Sequence, residues 1–208
     1  MSDDQVFRVA LIVGFVVILP VLLYFRIRSN IPHEPLDRRK EGLFILATLR
    51  PAGFVLMFSL LTFAIDPQRM AWASFPSPRW LRWIGVALYP IACVSFIWIL
   101  RNLGPNFTDT VVTRRAHTLV TRGPYRWVRH PFYVCVAMLV VASTLAASNW
   151  FVGLAGVVTL TLLVIRARTE EDKLIERFGD AYRAYMSETG RFWPTSFPSS
   201  SPRTTKQG

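Results

Sequence analysis

The stretch GPYRWVRHPFY, residues 123–133, holds a histidine and two tyrosines just before a run of apolar residues. Pro131 sits where the first turn of a helix should begin, a position that tolerates its missing N–H. His130 is therefore fixed at the helix entrance, with Tyr133 inside the first turn. The helix N-terminus directs free N–H groups and a partial positive charge at the same place. This arrangement predicts the rim of a ligand site.

The other basic and aromatic residues of this stretch have a simpler explanation. Arg126, Trp127 and Arg129 stand next to an apolar segment, where such residues commonly anchor a helix at the membrane interface. For these three residues we favour the anchoring role.

A second polar stretch, RTEED, begins at Arg168 and carries Glu170, Glu171 and Asp172 in succession. Acidic residues at a cytoplasmic membrane surface oppose the negative lipid potential, so three in a row invite a functional explanation. The alternative is a charged helix exit with i,i+4 ion pairs, Arg166 with Glu170 and Arg168 with Asp172.

Membrane helices must position these two stretches. The chain has 208 residues, of which 52% are hydrophobic and 18% charged. That balance is typical of a polytopic membrane protein. Five apolar segments predict an all-α integral membrane protein: roughly 6–25, 43–65, 80–100, 132–148 and 150–168. The last two are short for a span of about 20 residues and predict a tight helical hairpin.

The C-terminal region should return to the membrane surface. Apolar residues after the acidic stretch recur at helical spacing, which predicts an amphipathic interfacial helix interrupted near Gly179. We divide the chain into a three-helix membrane region, 1–100, a catalytic region, 101–193, and a disordered tail, 194–208.

The basic residues predict the orientation of the protein in the membrane. Arg and Lys are frequent in loops 26–42 and 101–131 and from 166 onward, but scarce in loop 66–79 and at the N-terminus. The basic loops should face the cytoplasm. The N-terminus is then outside, and both polar stretches are cytoplasmic.

The net charge of +11 does not indicate nucleic acid. The basic residues stand beside apolar helices, where topology and anionic membrane lipids explain them better. The two cysteines, Cys93 and Cys135, lie inside apolar segments and make neither a zinc site nor a disulfide framework. No metal site is predicted.

The two polar stretches together resemble the sequence signature of a known family. LVTRGPYRWVRHPFY, followed by RTEEDKLIERFGDAYRAY, resembles the signature of the isoprenylcysteine carboxyl methyltransferase family, which also includes phospholipid methyltransferases. The resemblance covers roughly residues 100–193. One departure is Cys135, where the family often has glycine.

The resemblance implies an enzyme that binds S-adenosylmethionine in a cytoplasmic pocket beside the last two helices. A carboxylate can accept the ribose hydroxyls, and a helix N-terminus can hold the methionyl carboxylate. Arg101 and Arg168 would stand near the reacting centre. The implied cofactor-binding residues are Leu119, Val120, Gly123, Tyr125, His130, Pro131, Tyr133, Glu170 and Glu171.

The implied acceptor is a lipophilic small molecule or prenylated substrate, methylated on a carboxylate or on a phospholipid amine. Arg50, the charge inside the second apolar segment, either snorkels to the interface or turns inward as a substrate-binding residue for an acidic headgroup.

Two other functions remain open from the sequence. Membrane sterol reductases, which use a nicotinamide cofactor, carry a segment similar to RHPFY. A non-catalytic membrane protein or transporter could also keep the fold without the site. No acidic residue lies within an apolar segment, which argues against a proton or cation pathway.

Overall fold

The computed structural model describes residues 3–28, 45–104 and 118–195. Within these ranges the chain is nearly all helical, with two isolated β-bridges and no strand. This confirms the all-α prediction. Only the first two residues of the predicted tail, 194–208, lie within the described part.

Six α-helices follow one another in the described ranges. They are α1 (Asp3–Arg28), α2 (Arg50–Ile65), α3 (Arg79–Leu103), α4 (Pro131–Ala147), α5 (Trp150–Phe178) and α6 (Asp180–Glu188). A π-helical turn, Ile45–Leu49, leads into α2, and 3₁₀ turns occupy Pro67–Ala73 and Gly123–Arg126.

Within the described part of the chain, four helical segments are long and apolar enough to cross a membrane. They are Gln5–Phe25, Ala47–Ile65, Arg79–Leu103 and Trp150–Phe178. With the shorter apolar α4, they account for the five apolar segments of the sequence. The chain is thus an integral membrane protein.

Helix α5 is longer than the sequence predicts. The apolar segment ends near residue 168, but the helix continues through the acidic stretch to Phe178. No Gly or Pro interrupts the chain between 157 and 178, so nothing stops the helix where it becomes polar. The break falls at Gly179, with φ of +54°, as the sequence predicts. The separate helix that follows, α6, has nine residues.

Helices α4 and α5 form the predicted hairpin across only two residues. Ser148 adopts the left-handed conformation with φ of 47°. The side chain of Asn149 accepts a hydrogen bond from the N–H of Val152 at 3.1 Å and donates one to the carbonyl of Met70 at 3.0 Å. Asn149 therefore caps α5 and ties the hairpin to the turn after α2.

Close packing between α3 and α4 fixes the entrance of α4. A side-chain carbon at Gly85 would lie 2.7 Å from the carbonyl oxygen of Ala142, so only glycine allows this approach. At the other end of the pair, the rings of Phe96 and Phe132 meet at 5.0 Å. The two helices therefore run antiparallel. We call the end of the bundle with the start of α4 the His130 end, and the opposite end the Ser148 end.

Candidate active site

The start of α4 meets the acidic part of α5, which carries Glu170 and Glu171, at the His130 end. His130 is the N-cap residue of α4 and is 8% exposed. Its Nε2 atom lies 3.3 Å from Oε1 of Glu171, and its Nδ1 atom lies 3.7 Å from Oε2 of Glu170. The imidazole thus stands between both carboxylates of α5. Its ring also stacks on that of Tyr133 at 5.3 Å.

Glu171 is the most heavily hydrogen-bonded member of this group. Its side chain is 3% exposed. Oε1 accepts a hydrogen bond from Nε of Arg129 at 2.8 Å, and Oε2 accepts one from the guanidinium of Arg191. Two charge-assisted bonds and the nearby imidazole occupy both oxygens, so Glu171 links three parts of the chain.

Glu170 has a different environment, although it is the next residue. Its Oε2 accepts the hydroxyl of Tyr133 at 2.8 Å, and its Oε1 accepts Nε of Arg166 at 2.8 Å. The side chain is 20% exposed. The carboxylate of Glu170 is therefore fixed by two hydrogen bonds, but solvent or a ligand can still reach it.

The segment after α6 covers this cluster. The N–H of Arg129 donates to the carbonyl of Gly190 at 2.9 Å, and the N–H of His130 donates to the carbonyl of Arg191 at 3.0 Å. The ring of Phe192 lies 5.8 Å from that of His130. We call residues 189–192 the C-terminal strap.

The side chain of Arg129 binds the backbone at the start of the strap. Its guanidinium donates to the carbonyl of Met186 at 3.1 Å and to that of Thr189, in addition to Glu171. The hydrogen bond from Arg191 to Glu171 raises the pKa of Arg191 above its usual value. The strap, the residue before His130 and α5 are therefore joined through the buried carboxylate of Glu171.

Buried tyrosines support the cluster. The hydroxyl of Tyr185 donates to the carbonyl of Tyr125 at 2.6 Å. Burial raises the pKa of Tyr185 to about 12 and also raises the pKa of Tyr125 and of Tyr182. These phenols stay neutral at physiological pH, so they pack and donate hydrogen bonds and do not act as bases.

The loop before α4 approaches α3 closely. Gly123 has φ of +61°, and a side-chain carbon there would lie 2.4 Å from the side chain of Asn102. Both the backbone conformation and the space therefore require glycine. Val120 packs into the apolar cluster around Tyr125, at the end of α3.

The residues of this cluster on α4 and α5 lie in a segment that is similar to a known protein family. Residues 84–176 match the model of the isoprenylcysteine carboxyl methyltransferase (ICMT) family. The matched segment is less than half of the chain and is similar to this family. The matched residues include His130, Tyr133, Glu170 and Glu171.

Individual ICMT proteins are similar over longer stretches. A protein-S-isoprenylcysteine O-methyltransferase of Dictyostelium discoideum is 29% identical over 160 residues, which cover 72% of this chain and 63% of that protein. The Homo sapiens protein of the same name is 28% identical over 135 residues, covering 63% and 46%. This chain therefore spans less than two thirds of either relative.

A solved structure of a eukaryotic intramembrane Ras methyltransferase ICMT matches with a TM-score of 0.49 and 20% identity, covering 94% of this chain and 64% of that chain.

The structure brings together most of the predicted ICMT-type site. His130, Pro131, Tyr133, Glu170 and Glu171 form the cluster described above. The other predicted residues lie in the segment before α4. Tyr125 accepts the hydroxyl of Tyr185, and Gly123 and Val120 pack against the end of α3. Leu119 is half-buried in the same segment.

The predicted arginines are outside this cluster. Arg101 and Arg168 are exposed and have no ion-pair partner within the described ranges. Arg168 lies about 200° around α5 from Arg166, on the other side from Glu170. The Arg166–Glu170 pair of the sequence analysis forms. The Arg168–Asp172 pair does not form.

Arg50 is half-buried at the start of α2. The preceding residue, Leu49, packs in one apolar cluster with Tyr133, Leu163 and Phe192. Arg50 therefore directly follows a residue of the apolar cluster that flanks His130 and Tyr133.

Two functional positions are absent from the sequence predictions. Arg129 is not a membrane anchor but a buried partner of Glu171, with its side chain 9% exposed. Its position directly before His130 is the one signal that could have revealed it. Arg191 lies after two helices and a break, where no periodic pattern marks it. In contrast, the predicted anchor Arg126 stands 4.2 Å above the ring of Trp127.

Proposed function

We propose that this protein transfers a methyl group from S-adenosylmethionine to the carboxylate of a lipophilic, isoprenylcysteine-type acceptor. The observation that carries the proposal is the convergence of His130, Tyr133 and Glu170 inside the segment that matches the model of the ICMT family. The relatives of this chain named above are protein-S-isoprenylcysteine O-methyltransferases. The family match does not favour a nicotinamide-dependent reductase.

The residues at the His130 end fit the cofactor. Glu170 offers a partly accessible carboxylate, which can accept the two hydroxyls of a ribose. The N-terminus of α4, which begins at Pro131, places the positive end of the helix dipole in the same region, where a carboxylate would be favoured. Cationic Arg166, already beside Glu170, adds to the positive potential.

In this proposal Glu170 is the main acidic contact. The resemblance predicts that Glu171 also binds the cofactor, and that role stays part of the proposal. However, the side chain of Glu171 is only 3% exposed, against 20% for Glu170, and Arg129 and Arg191 bind its two oxygens. Glu171 therefore contributes mainly by placing His130 and the C-terminal strap.

When bound, S-adenosylmethionine supplies an electrophilic methyl group on a cationic sulfur. The chain contributes position and a dry environment. Tyr133 holds Glu170 through its hydroxyl, and Phe192 with Leu163 walls the site with apolar surface. Excluding water favours reaction between an anionic acceptor and a cationic donor, because their charges are neutralised together. Orienting the two reactants supplies much of the remaining acceleration.

The proposal keeps Arg101 and Arg168 as residues that bind the acid group of the acceptor, outside the His130 cluster. A planar guanidinium can grip an acidic acceptor with two parallel hydrogen bonds. Arg101 and Arg168 have no described ion-pair partner that such an acceptor would have to displace. Arg50 is proposed to approach the acceptor from α2. We also propose that the N-terminus is outside and that the His130 end faces the cytoplasm, from the distribution of basic residues.

The test uses the full chain, purified in detergent, with labelled S-adenosylmethionine and either a farnesylated cysteine or a phospholipid extract. We expect label in the farnesylated acceptor, released as volatile methanol on treatment with base, which marks a methyl ester. Base-stable label in the phospholipid would indicate amine methylation and contradict the carboxylate assignment.

A matched pair of variants assigns the activity to the site. Glu170→Gln should lower methyl transfer at least about tenfold, equivalent to roughly 1.4 kcal/mol. Asp172→Asn removes an exposed carboxylate from the same helix and should keep parental turnover. Equal turnover in both variants would mean that the cluster is not the site.

A further inference from the structure

A cavity of about 570 Å³ lies at the Ser148 end of the bundle, away from the His130 cluster. The start of α1, the end of α2, the start of α3 and the turn between α4 and α5 all contribute to its wall. Its volume is within the range of small-molecule sites. The proposed methyl transfer gives this cavity no role, because the candidate site is at the opposite end of α3 and α4.

Two arginines from different helices line the cavity. Arg8 donates to the carbonyls of Ala64 and Ile65, both at 2.6 Å. Nε of Arg82 donates to the carbonyl of Ala146 at 3.1 Å. These bonds hold each guanidinium at the C-terminal end of a helix. The bonds of Arg8 use its Nε and one terminal nitrogen, which are part of the fork of N–H donors that arginine carries.

Among the described residues that line the cavity, two arginines stand against one aspartate. Arg8 has no carboxylate partner within the described ranges. Asp66, the acidic residue of the wall, is engaged by the N–H of Gln68 at 3.1 Å and by Arg69 at 3.3 Å. Arg69 itself does not line the cavity.

Hydroxyl groups add neutral polar groups to the same wall. Ser77 and Ser148 are hydrogen-bonded to each other, the hydroxyl of Ser148 also donates to the carbonyl of Leu145 at 3.4 Å, and Ser74 lies exposed on the same surface. Arginine forks with serine hydroxyls suit a tetrahedral oxyanion such as phosphate.

Exposed tryptophans mark this end of the bundle as a membrane interface. Trp72, Trp80, Trp83 and Trp150 are all exposed, and the rings of Trp72 and Trp150 meet edge to face at 5.4 Å. Tryptophans on a membrane protein concentrate at the level of the lipid headgroups. The cavity therefore opens among the ends of spanning helices, at the depth where lipid phosphates lie.

We propose that this cavity binds the phosphate headgroup of an anionic membrane phospholipid, held by Arg8, Arg82 and the serine hydroxyls. The bound lipid would bridge α1 with the α4–α5 hairpin, because Arg8 and Ser148 belong to these two parts. The cavity is a lipid site separate from the acceptor site.

The test measures binding to the full chain in detergent by the ligand-dependent rise in unfolding temperature. The probes are short-chain phosphatidylglycerol, short-chain phosphatidylcholine and glycerol 3-phosphate. We expect phosphatidylglycerol to bind at least about fivefold more tightly than phosphatidylcholine, because the positive charge of choline opposes the arginines. Equal stabilisation by the two lipids would overturn the proposal.

Two matched pairs of variants locate the site. Ser74→Asp adds a negative charge to the wall and should weaken phosphatidylglycerol binding at least about tenfold, whereas the neutral Ser74→Asn should stay within about twofold. Arg8→Gln should weaken binding as strongly, whereas Arg183→Gln removes a 61% exposed arginine of α6, outside the wall, and should have little effect. The serine pair leaves both helix-capping arginines intact, so it decides the test even if Arg8→Gln fails to fold.

The soluble probe separates the two sources of phosphate. Binding of the lipid without glycerol 3-phosphate supports a membrane ligand. Equally tight binding of glycerol 3-phosphate, lost in Ser74→Asp, would overturn the lipid assignment in favour of a soluble phosphate. Lipid binding that is unchanged in Ser74→Asp and Arg8→Gln would overturn the site altogether.

Discussion

Replacing Glu171 by alanine should destabilise the fold much more than the loss of one acidic contact with a cofactor would suggest. The carboxylate is 3% exposed and accepts hydrogen bonds from Arg129 and Arg191. Removing it leaves the guanidinium of Arg129, itself 9% exposed, without its counter-charge. Breaking a buried ion pair from one side costs about 3–5 kcal/mol.

The lower end of that range applies here. Arg129 keeps the carbonyls of Met186 and Thr189 as acceptors, so its charge is not left without hydrogen bonds. For a chain of roughly this length, about 1 kcal/mol corresponds to a change in Tm of about 2–4 °C. A loss of about 3 kcal/mol therefore predicts a Tm lower by about 6–12 °C.

The assay is thermal unfolding of the purified protein in detergent, without cofactor, followed by tryptophan fluorescence. Glu170→Gln is the control, because the side chain of Glu170 is 20% exposed and glutamine keeps an oxygen that can accept from Tyr133 or Arg166. We expect it to cost less than about 1.5 kcal/mol. The reasoning would be refuted if Glu171→Ala melted within about 2 °C of the parent, or if Glu170→Gln lowered Tm as far.

Four further predictions address the site and the topology. Tyr133→Phe removes the hydroxyl that holds Glu170 and should weaken S-adenosylmethionine binding about threefold to tenfold by calorimetry, at about 1 kcal/mol for one hydrogen bond; unchanged affinity would separate Tyr133 from the cofactor. Gly123→Ala forces a side chain into a left-handed conformation against Asn102 and should lower the free energy of unfolding by about 1–3 kcal/mol, with parental stability as the contrary result. Arg168→Lys should keep cofactor binding but slow methyl transfer at least about tenfold, because an ammonium cannot form two parallel bonds to a carboxylate; parental turnover would leave Arg168 as a surface residue. A cysteine at position 188 should resist impermeant thiol reagents applied to intact cells, and ready labelling would reverse the proposed orientation.

Much of this architecture could be predicted because membrane helices leave a simple mark in sequence. Apolar segments of sufficient length locate the helices, and Ser148 and Asn149, between two such segments, locate the hairpin. The hairpin in turn predicts that the polar stretches on either side of it meet. His130 and Glu171 do so across 41 positions of sequence.

The parts that could not be predicted have physical reasons. Hydrophobicity marks where a chain leaves the lipid and does not mark where the helix ends, so the polar extension of α5 leaves no signal. Neighbours on a helix point about 100° apart, so two adjacent glutamates with the same chemistry acquire different surroundings. Glu170 faces Tyr133 and stays accessible, whereas Glu171 faces Arg129 and is buried.

The strap also determines how much of the chain is needed to hold the start of α4 in place. The family match stops at residue 176, whereas Arg191, which closes the second oxygen of Glu171, lies beyond it. A fragment cut at the limit of sequence similarity would keep His130 and Glu170 but lose the backbone bonds that Gly190 and Arg191 provide to the start of α4. Any chimera or minimal version of this protein must therefore carry its own residues through Phe192. An exchange of C-termini between relatives would also exchange the arginine that pairs with Glu171.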